Sequence, residues 1–536
     1  LEKAAKGADF QTDLKKFADY QKNNLEDVGI DEELATIEKI LTGVSLTGDY
    51  SLKTKDEVLS YGELISGKYV TAALNAKGIK ATLLDSRELI KTDDSFSNAE
   101  VDEGLSKENV IRYFHNLETG TIPVVTGFIA SNKEGVTTTL GRNGTNYSAA
   151  LLANFLDAGE LINYTHVDGI FTANPDLVQD AKVIDMISYS EANELANFGA
   201  NILHAKTIIP LIEKNIPLRI CNTFNNDNEG TLIGPKSGNG GIKSLSVLDN
   251  MALINLEGRG LLGKVGVDMR IFRALGQNGI SVGIVSQGSS ERGIGLDKAK
   301  KVLDQEFETD YSSQDINQIS VVKDVSVISI VGMDLSSFHK PFNALAKNQI
   351  TPLLFNNTVT GKNVSMVVKK SDLHKAINVI HGQIFGIAKK INLALFGHGN
   401  VGSTLISQIL NSKNNIEDRK SIDLKVFAVA NSRKVLLDAS GVGGDWKKRL
   451  EKEGQPYQIE DITAFAKQHH LENLIAVDNT ASKSFVEKYE SLIEHGFDLV
   501  SSNKIANTLS FEKYKSVRKC LDKNQKQYLY ETNVGA

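Results

Sequence analysis

At 536 residues, 41% of them hydrophobic and 24% charged with only 8 prolines, the chain is too long for one hydrophobic core and too apolar for extensive disorder, so several folded domains are expected. A formal net charge of −6, with no long Lys/Arg block, provides no field for a phosphate backbone and makes nucleic acid an unexpected partner. Cys221 and Cys520 lie too far apart for a disulfide framework or a compact cysteine zinc site, and no apolar run reaches the ~20 residues of a membrane helix, so no membrane partner and a reducing cytoplasm are expected.

Residues 1–60 mix charged and apolar positions at helical spacing, as in DEELATIEKILTGV, which predicts solvent-facing helices packed by one side. The start, LEKAAKGADF, has neither an initiator Met nor a signal-peptide core, and the visible chain is expected to begin inside its natural sequence. From Tyr61 to about Ile233, short apolar runs (IKATLLD, IPVVTGFIA, ELINYTHVDGIFT, IPLRICNTF) alternate with helical stretches, the pattern of an α/β layered domain. GPKSGNGGIKS, residues 234–244, reads as a linker. Beyond it one layout occurs twice: strand NMALINLEG or VSVISIVGM, helix DMRIFRALGQNG or FHKPFNALAKNQ, then strand ISVGIVSQG or ITPLLFNNT. The duplication predicts two small α+β units. After Lys390 a new α/β pattern opens and runs to TNVGA, where the last module is expected to be incomplete.

That module begins with the strand INLALF, followed by Gly397, Gly399 and Gly402 in GxGxxG spacing and the apolar helix STLISQIL. The three glycines permit a tight turn, approach of a pyrophosphate to the backbone, and close helix-to-strand packing, while the helix N-terminus favours the anion. The turn residues Asn400 and Val401 belong to the same candidate cofactor site. The next strand, LKVFAVA, ends at Ala430 and leads into Asn431, Ser432, Arg433 and Lys434, with no carboxylate for the ribose hydroxyls and two cations for a 2′-phosphate. NADP(H) is therefore expected over NAD. FGHGNVG, VANSR, VDNTAS, SSNKIANT and ETNVGA resemble, in order and spacing, the nucleotide-binding half of homoserine dehydrogenase. The resemblance implies that Thr480 and Asn503 line the nicotinamide side, and that Lys504 is the catalytic residue that holds or protonates the carbonyl oxygen of aspartate semialdehyde as homoserine forms. A cation beside a developing alkoxide lowers the barrier. The family's substrate-binding portion would lie after Ala536.

In the earlier α/β region, TTTLGRNGTNYSAALLANFLDA reads as strand, glycine turn and helix. Its first turn offers Thr145, Asn146 and Ser148 to a phosphate, with Arg142 ahead of it able to clamp a carboxylate. THVDGIFTANPD places Thr165 and Asp168 at a turn, suited to nucleotide recognition or to simple turn formation. These segments, with YGE at 61–63, ISYSEANELANFGANILHAKTI and NTFNNDNEGTLIG, resemble the aspartate kinase family. The resemblance implies that Glu63 and Arg142, with Thr145 and Asn146, bind aspartate, that Thr165 and Asp168 meet adenine and ribose, and that Lys206 meets the phosphates. ATP with Mg²⁺ would be the cofactor, and the metal ligands are not identified. Departures from the family pattern are Asn146, His166, Asn174, Asp176 and Ala205, and the family's opening KFGGTS segment is not seen.

The two α+β units resemble the paired ACT domains that follow aspartate kinases, and SQGSSERGIG places Gln287 at the effector position. FNNTVTGKN stands in its place in the second unit. The resemblance implies an amino-acid effector, threonine foremost, and a homo-oligomer formed through the ACT-type units and the dehydrogenase domain. His469 and His470, adjacent on a helix, and Trp446 read as packing or surface residues rather than ligands. The expected architecture is an α/β multidomain chain: an amino-acid-kinase-like α/β domain at 1–240 with its N-terminal strand missing, tandem ACT-like regulatory α+β domains at 246–386, and a Rossmann-type NADP-binding domain at 390–536. The leading function is a bifunctional enzyme that phosphorylates aspartate to aspartyl 4-phosphate and reduces aspartate semialdehyde. A degenerate kinase and ACT regulatory module attached to a homoserine dehydrogenase, or a folded piece with neither activity, are the alternatives.

Overall fold

A computed structural model describes residues 1–24, 28–197, 205–236, 238, 241–258, 266–280, 297–313, 315–332, 339–357, 363–385 and 389–530. Among these, 1–170, 183–197 and 205–238 form one compact unit, and 171–182 and 241–530 form another.

In the first unit, helix Asp31–Thr47 buries Ile37, Leu41 and Val44, an i, i+4, i+7 stripe, and ends on Gly48 in the left-handed region. Ser51 then caps helix Leu52–Ala76 by accepting from the Thr54 N–H. Gly67 lets that helix approach the sheet, since a Cβ there would lie 2.6 Å from Leu83 Cδ1. The strands form three small sheets. β1 (Ala81–Leu84) is joined by β3 (Ile122–Val125), and β2 (Lys91–Thr92) by β4 (Ile129–Asn132) and β5 (Thr137–Thr139). β6 (Leu161–Thr165) lies beside β8 (Leu218–Asn222), followed in the sheet by β9 (Thr231–Gly234) and β7 (Met186–Ser188). The apolar run IPVVTGFIA, read as one strand, is two. Thr126 turns its hydroxyl to the Ser86 N–H at 2.9 Å, and Phe128 adopts φ 67°, which no strand residue can hold.

In the second unit, β10 (Ser244–Glu257), β11 (Gln318–Val331), β13 (Asn363–Lys369) and β12 (Leu354–Asn357) make one antiparallel sheet in the order β10-β11-β13-β12. The two repeats are not separate sheets, because β10 and β11 each run through both cores. Ile254, Leu256 and Ile319 pack with Leu275, Leu303 and Phe307 in one core, whereas Leu245, Ile328 and Ile330 pack with Leu345, Ile377 and Ile380 in the other. Register slips near Met251, with Asn250 and Asp324 at positive φ, mark the change of partner. Residues 171–182 contribute Ala173 and Val178 to the latter core.

The remaining strands form a seven-stranded sheet around β14 (Lys389–Phe396). β14 pairs in parallel with β15 (Ile422–Ala430) and β18 (Leu474–Asp478), and β19 (Asp498–Ser501) and β20 (Tyr528–Tyr530) continue in parallel. β16 (Lys434–Leu437) and β17 (Gln455–Pro456) form an antiparallel edge. Both faces of β14 are covered: Leu393 and Leu395 enter one core, Ala394 and Phe396 the other. This is why INLALF is continuously apolar rather than alternating.

Candidate functional site

The turn after β14 has the geometry expected of a dinucleotide fingerprint. Gly397 takes φ 85°, and a Cβ on Gly402 would lie 2.0 Å from the Gly397 carbonyl oxygen, so the helix can start here only if residue 402 is glycine. A Cβ on Gly399 would meet nothing, so that position faces open space at the N-cap of helix Asn400–Lys420. Val401 is 60% exposed in the first turn. Beside it, the Asn431 amide donates to His398 Nε2 at 3.1 Å, and His398 packs edge-on to the buried Trp446. Ala430 is buried at the end of β15. Asn431 Oδ1 accepts from the N–H groups of Arg433 and Lys434, closing the hairpin to β16 and leaving Ser432 and Arg433 exposed. The two cations then diverge, because Lys434 Nζ donates to the Glu451 carbonyl at 2.6 Å whereas no described residue pairs with the Arg433 guanidinium.

Asp478, at the end of β18, organises a polar network at this end of the sheet. Its carboxylate is 2% exposed and accepts from the Thr480 N–H at 2.8 Å, the Tyr489 hydroxyl at 2.7 Å and the Asn503 amide at 3.0 Å. Burial, with Asp478 beside it, pushes the Tyr489 phenol far up, so it remains a donor. Ser501 links Tyr489 to the Asn503 backbone, and Asn503 Oδ1 accepts from the Ile505 N–H. Thr480 and Asn503 are thus held together by this network. Lys504 follows directly, exposed and without a described partner at the start of a 3-10 turn. Asn479 Nδ2 and both amide atoms of Asn507 are buried without partners among the described residues, which fits a polar molecule entering this end of the sheet. Sequence reasoning missed Asp478 and Tyr489, and a lone carboxylate at a strand end was their only signal.

In the first unit Glu63 and Asp56 lie seven residues apart on one helix, so they share a face. Asp56, fully buried, accepts from the N–H and hydroxyl of Ser97 at 2.7 and 3.0 Å and of Thr139 at 3.0 and 2.9 Å. It was not singled out from sequence, and it fixes the loop from which Asn98 accepts the Lys206 ammonium at 2.8 Å. Gly141 sits against Asn98, so Arg142, exposed and without a described partner, stands next to the Lys206 contact. Glu63 accepts from the Thr145 hydroxyl at 3.3 Å, and its carboxyl is raised by burial, partly offset by Thr145 and the Gly127 backbone. Ser97, Phe128 and Asn143 all have positive φ, so strained loops converge around this group. Asn146 is half-buried in the first turn of helix Gly144–Phe155, where Asn143 gives no side-chain cap.

Thr165 and Asp168 form a second group at the carboxyl end of β6, where an α/β sheet receives ligands. Asp168 accepts from the amides of Asn222 and Asn225 at 2.7 and 3.1 Å, and the Thr165 hydroxyl lies 3.4 Å from His166. Asn174 accepts from the Asp176 N–H within a local turn. Gln287 and the SQGSSERGIG segment lie outside the described residues. Among the described residues, no three His, Cys, Asp or Glu side chains cluster as a metal site, and no helix is long and apolar enough to cross a membrane.

Residues 10–222 match the amino acid kinase family, residues 254–307 an ACT domain, and residues 397–531 the NAD binding domain of homoserine dehydrogenase. The bifunctional aspartokinase/homoserine dehydrogenase of Buchnera aphidicola is 34% identical over 522 residues, which is 95% of this chain and 64% of that protein's length. E. coli aspartokinase III in complex with aspartate and ADP, in its R-state, is similar in structure with a TM-score of 0.61 and 26% identity, over 71% of this chain and 89% of that one. The T-state of that enzyme, with lysine and aspartate, gives 0.59 and 27%, over 72% and 89%. The kinase, ACT and dinucleotide-binding folds expected from the motifs are all present.

Proposed function

With an amino acid kinase domain, an ACT domain and a homoserine dehydrogenase NAD binding domain on one chain, we propose a bifunctional enzyme that phosphorylates L-aspartate with ATP and reduces aspartate semialdehyde to homoserine with NADPH. The observation that carries the dehydrogenase reading is the Asp478 network, which holds Thr480 and Asn503 and leaves the Lys504 ammonium, one residue on, without a partner among the described residues. NADPH, when bound, supplies the hydride. Lys504 holds the substrate carbonyl oxygen and donates the proton as the alkoxide forms. Arg433 receives the 2′-phosphate and selects NADP over NAD.

In the kinase half, Arg142 clamps an aspartate carboxylate, Glu63 and Thr145 orient the substrate, and Lys206 meets the transferring phosphate. Mg²⁺ with ATP would neutralise charge on the nucleotide phosphates. The product is aspartyl 4-phosphate. An amino acid such as threonine acts as effector through Gln287, and the chain self-associates through exposed apolar residues such as Phe342 and Phe355 of the ACT region. Two free cysteines fit a cytoplasmic enzyme.

The test is to measure aspartate-dependent ADP formation and homoserine-dependent NADP⁺ reduction separately. Arg142→Ala should abolish only the first and Lys504→Ala only the second. Reduction persisting without any ADP formation would make the kinase half a regulatory binding module, and unchanged reduction in Lys504→Ala would remove the catalytic role.

A further inference from the structure

Helices His339–Lys347 and Leu373–Ile384 of the regulatory region and the amino-terminal edge of the β14 sheet enclose a cavity of about 340 Å³. This is at the small end of the range for ligand pockets, roughly 300–1,000 Å³. Lys389, the first residue of β14, lines it, whereas the coenzyme turn follows Phe396 at the last, so roughly 23 Å of strand separate the two.

Its charged groups are unevenly satisfied. Lys390 is paired with Asp180 at 2.6 Å. Glu472 is 9% exposed, lines the cavity, and its carboxylate accepts no hydrogen bond from the described residues; only its backbone carbonyl is used, by the Asn392 amide. Burial pushes this carboxyl up to about 7, against the opposing pull of Lys390 and Lys375. The ammonium groups of Lys347 and Lys389, which also line the space, form no ion pair among the described residues. His381, with its pKa held down to about 4 by burial and its Nε2 within 2.8 Å of the Thr172 hydroxyl, is a neutral wall. One buried carboxylate that lies near several ammonium groups but accepts no hydrogen bond, and two ammonium groups in no ion pair among the described residues, therefore share one small cavity. An isolated buried charge is costly until an opposite charge meets it.

We propose that this junction cavity binds a small zwitterion, a free α-amino acid, with its ammonium on Glu472 and its carboxylate toward Lys389 and Lys347. The site lies at the opposite end of β14 from the glycine turn, and it does not rest on either proposed activity.

The test uses the full chain carrying Gln287→Ala, titrated calorimetrically at pH 7.5 with each proteinogenic L-amino acid, and with acetate and methylammonium as half-molecules. At least one amino acid should bind, neither half-molecule should match it, and Glu472→Gln or Lys389→Met should each weaken it by about tenfold or more. Glu472→Gln removes a buried charge and should fold at least as well as the parent, so lost binding there is not lost structure. No binding by any amino acid, unchanged binding in both variants, or methylammonium binding as tightly as the amino acid would overturn the proposal.

Discussion

Gly402 and Arg433 are proposed to bear on the coenzyme in different ways. A methyl group at 402 would sit 2.0 Å from the Gly397 carbonyl oxygen, a backbone atom that cannot swing away, so the turn itself must open. Gly402→Ala is expected to destabilise the dinucleotide domain by about 1–3 kcal/mol and to abolish NADPH binding, read by denaturant midpoint and nucleotide fluorescence. The Arg433 guanidinium has no partner among the described residues, and only its backbone is used by the fold, the carbonyl accepting from the Tyr457 N–H at 2.8 Å. Arg433→Ala should leave stability unchanged and weaken NADPH by roughly 10- to 100-fold, a cost of about 1.5–3 kcal/mol for a charge-assisted hydrogen bond, with NADH nearly unaffected. Equal weakening of both nucleotides would assign the 2′-phosphate to another group. Gly402 was legible because the glycine spacing announces the turn. Asp478 and Asp56 were not: Asp478 acquires its role from Tyr489, Ser501 and Asn503, which only the fold brings near, and Asp56 sits in a helix of ordinary charged residues. Its seven-residue distance from Glu63 was the one available hint.

Among the elements, strand β14 shows most directly how burial writes itself into sequence. Covered on both faces, it is apolar throughout, and its strand-to-helix turn could be located to the residue. β10 and β11 were harder, because the apolar pattern lapses at Asp249 and Asn250, where the strands change cores, and a lapse in pattern reads as a strand end. At the other end of β14, Glu472 gives a pH prediction. Its pKa rises from 4.5 to about 7 on folding, so the stability it contributes is fully present below pH 4.5 and is lost as pH rises through 7. Lys375 is displaced in the opposite sense, to about 8, and its contribution is lost only as pH falls from 10.5 through 8. Between pH 5 and 7 Lys375 is therefore charged in both states, and Asp180, Lys390, Lys389 and Lys347 around the cavity are common to parent and variant. Glu472→Gln should match the parent at pH 4.5 and exceed it at pH 7.5 by up to about 3 kcal/mol in urea unfolding. A constant difference across that range would show that the carboxylate is not desolvated.

At the scale of the whole molecule, the described residues join the ACT-type region to the dinucleotide domain through directional polar contacts, with His374 stacked on His470 beside them. The buried Asn348, just past helix His339–Lys347, accepts the Asn473 N–H at 2.8 Å and donates to the Asn473 side-chain oxygen at 3.3 Å. Lys526 donates to the carbonyl of Lys347 across the joint, and on the ACT-type side the Lys375 ammonium donates to the Asn348 carbonyl at 3.2 Å. Directional contacts of this kind are lost when either partner shifts, whereas an apolar seam would slide. Asn473 directly precedes β18, whose far end is Asp478, so the joint and the Asp478 network sit at the two ends of one five-residue strand. NADPH binding is therefore expected to slow amide hydrogen exchange both at Asp478–Ser482 and in helix His339–Lys347. Asn348→Ala leaves the Asn473 N–H without its acceptor, at a cost of about 1–3 kcal/mol. It should keep the first protection and lose the second. Undiminished protection of the regulatory helix in that variant would mean that the Asn348–Asn473 pair closes the junction without carrying a signal across it.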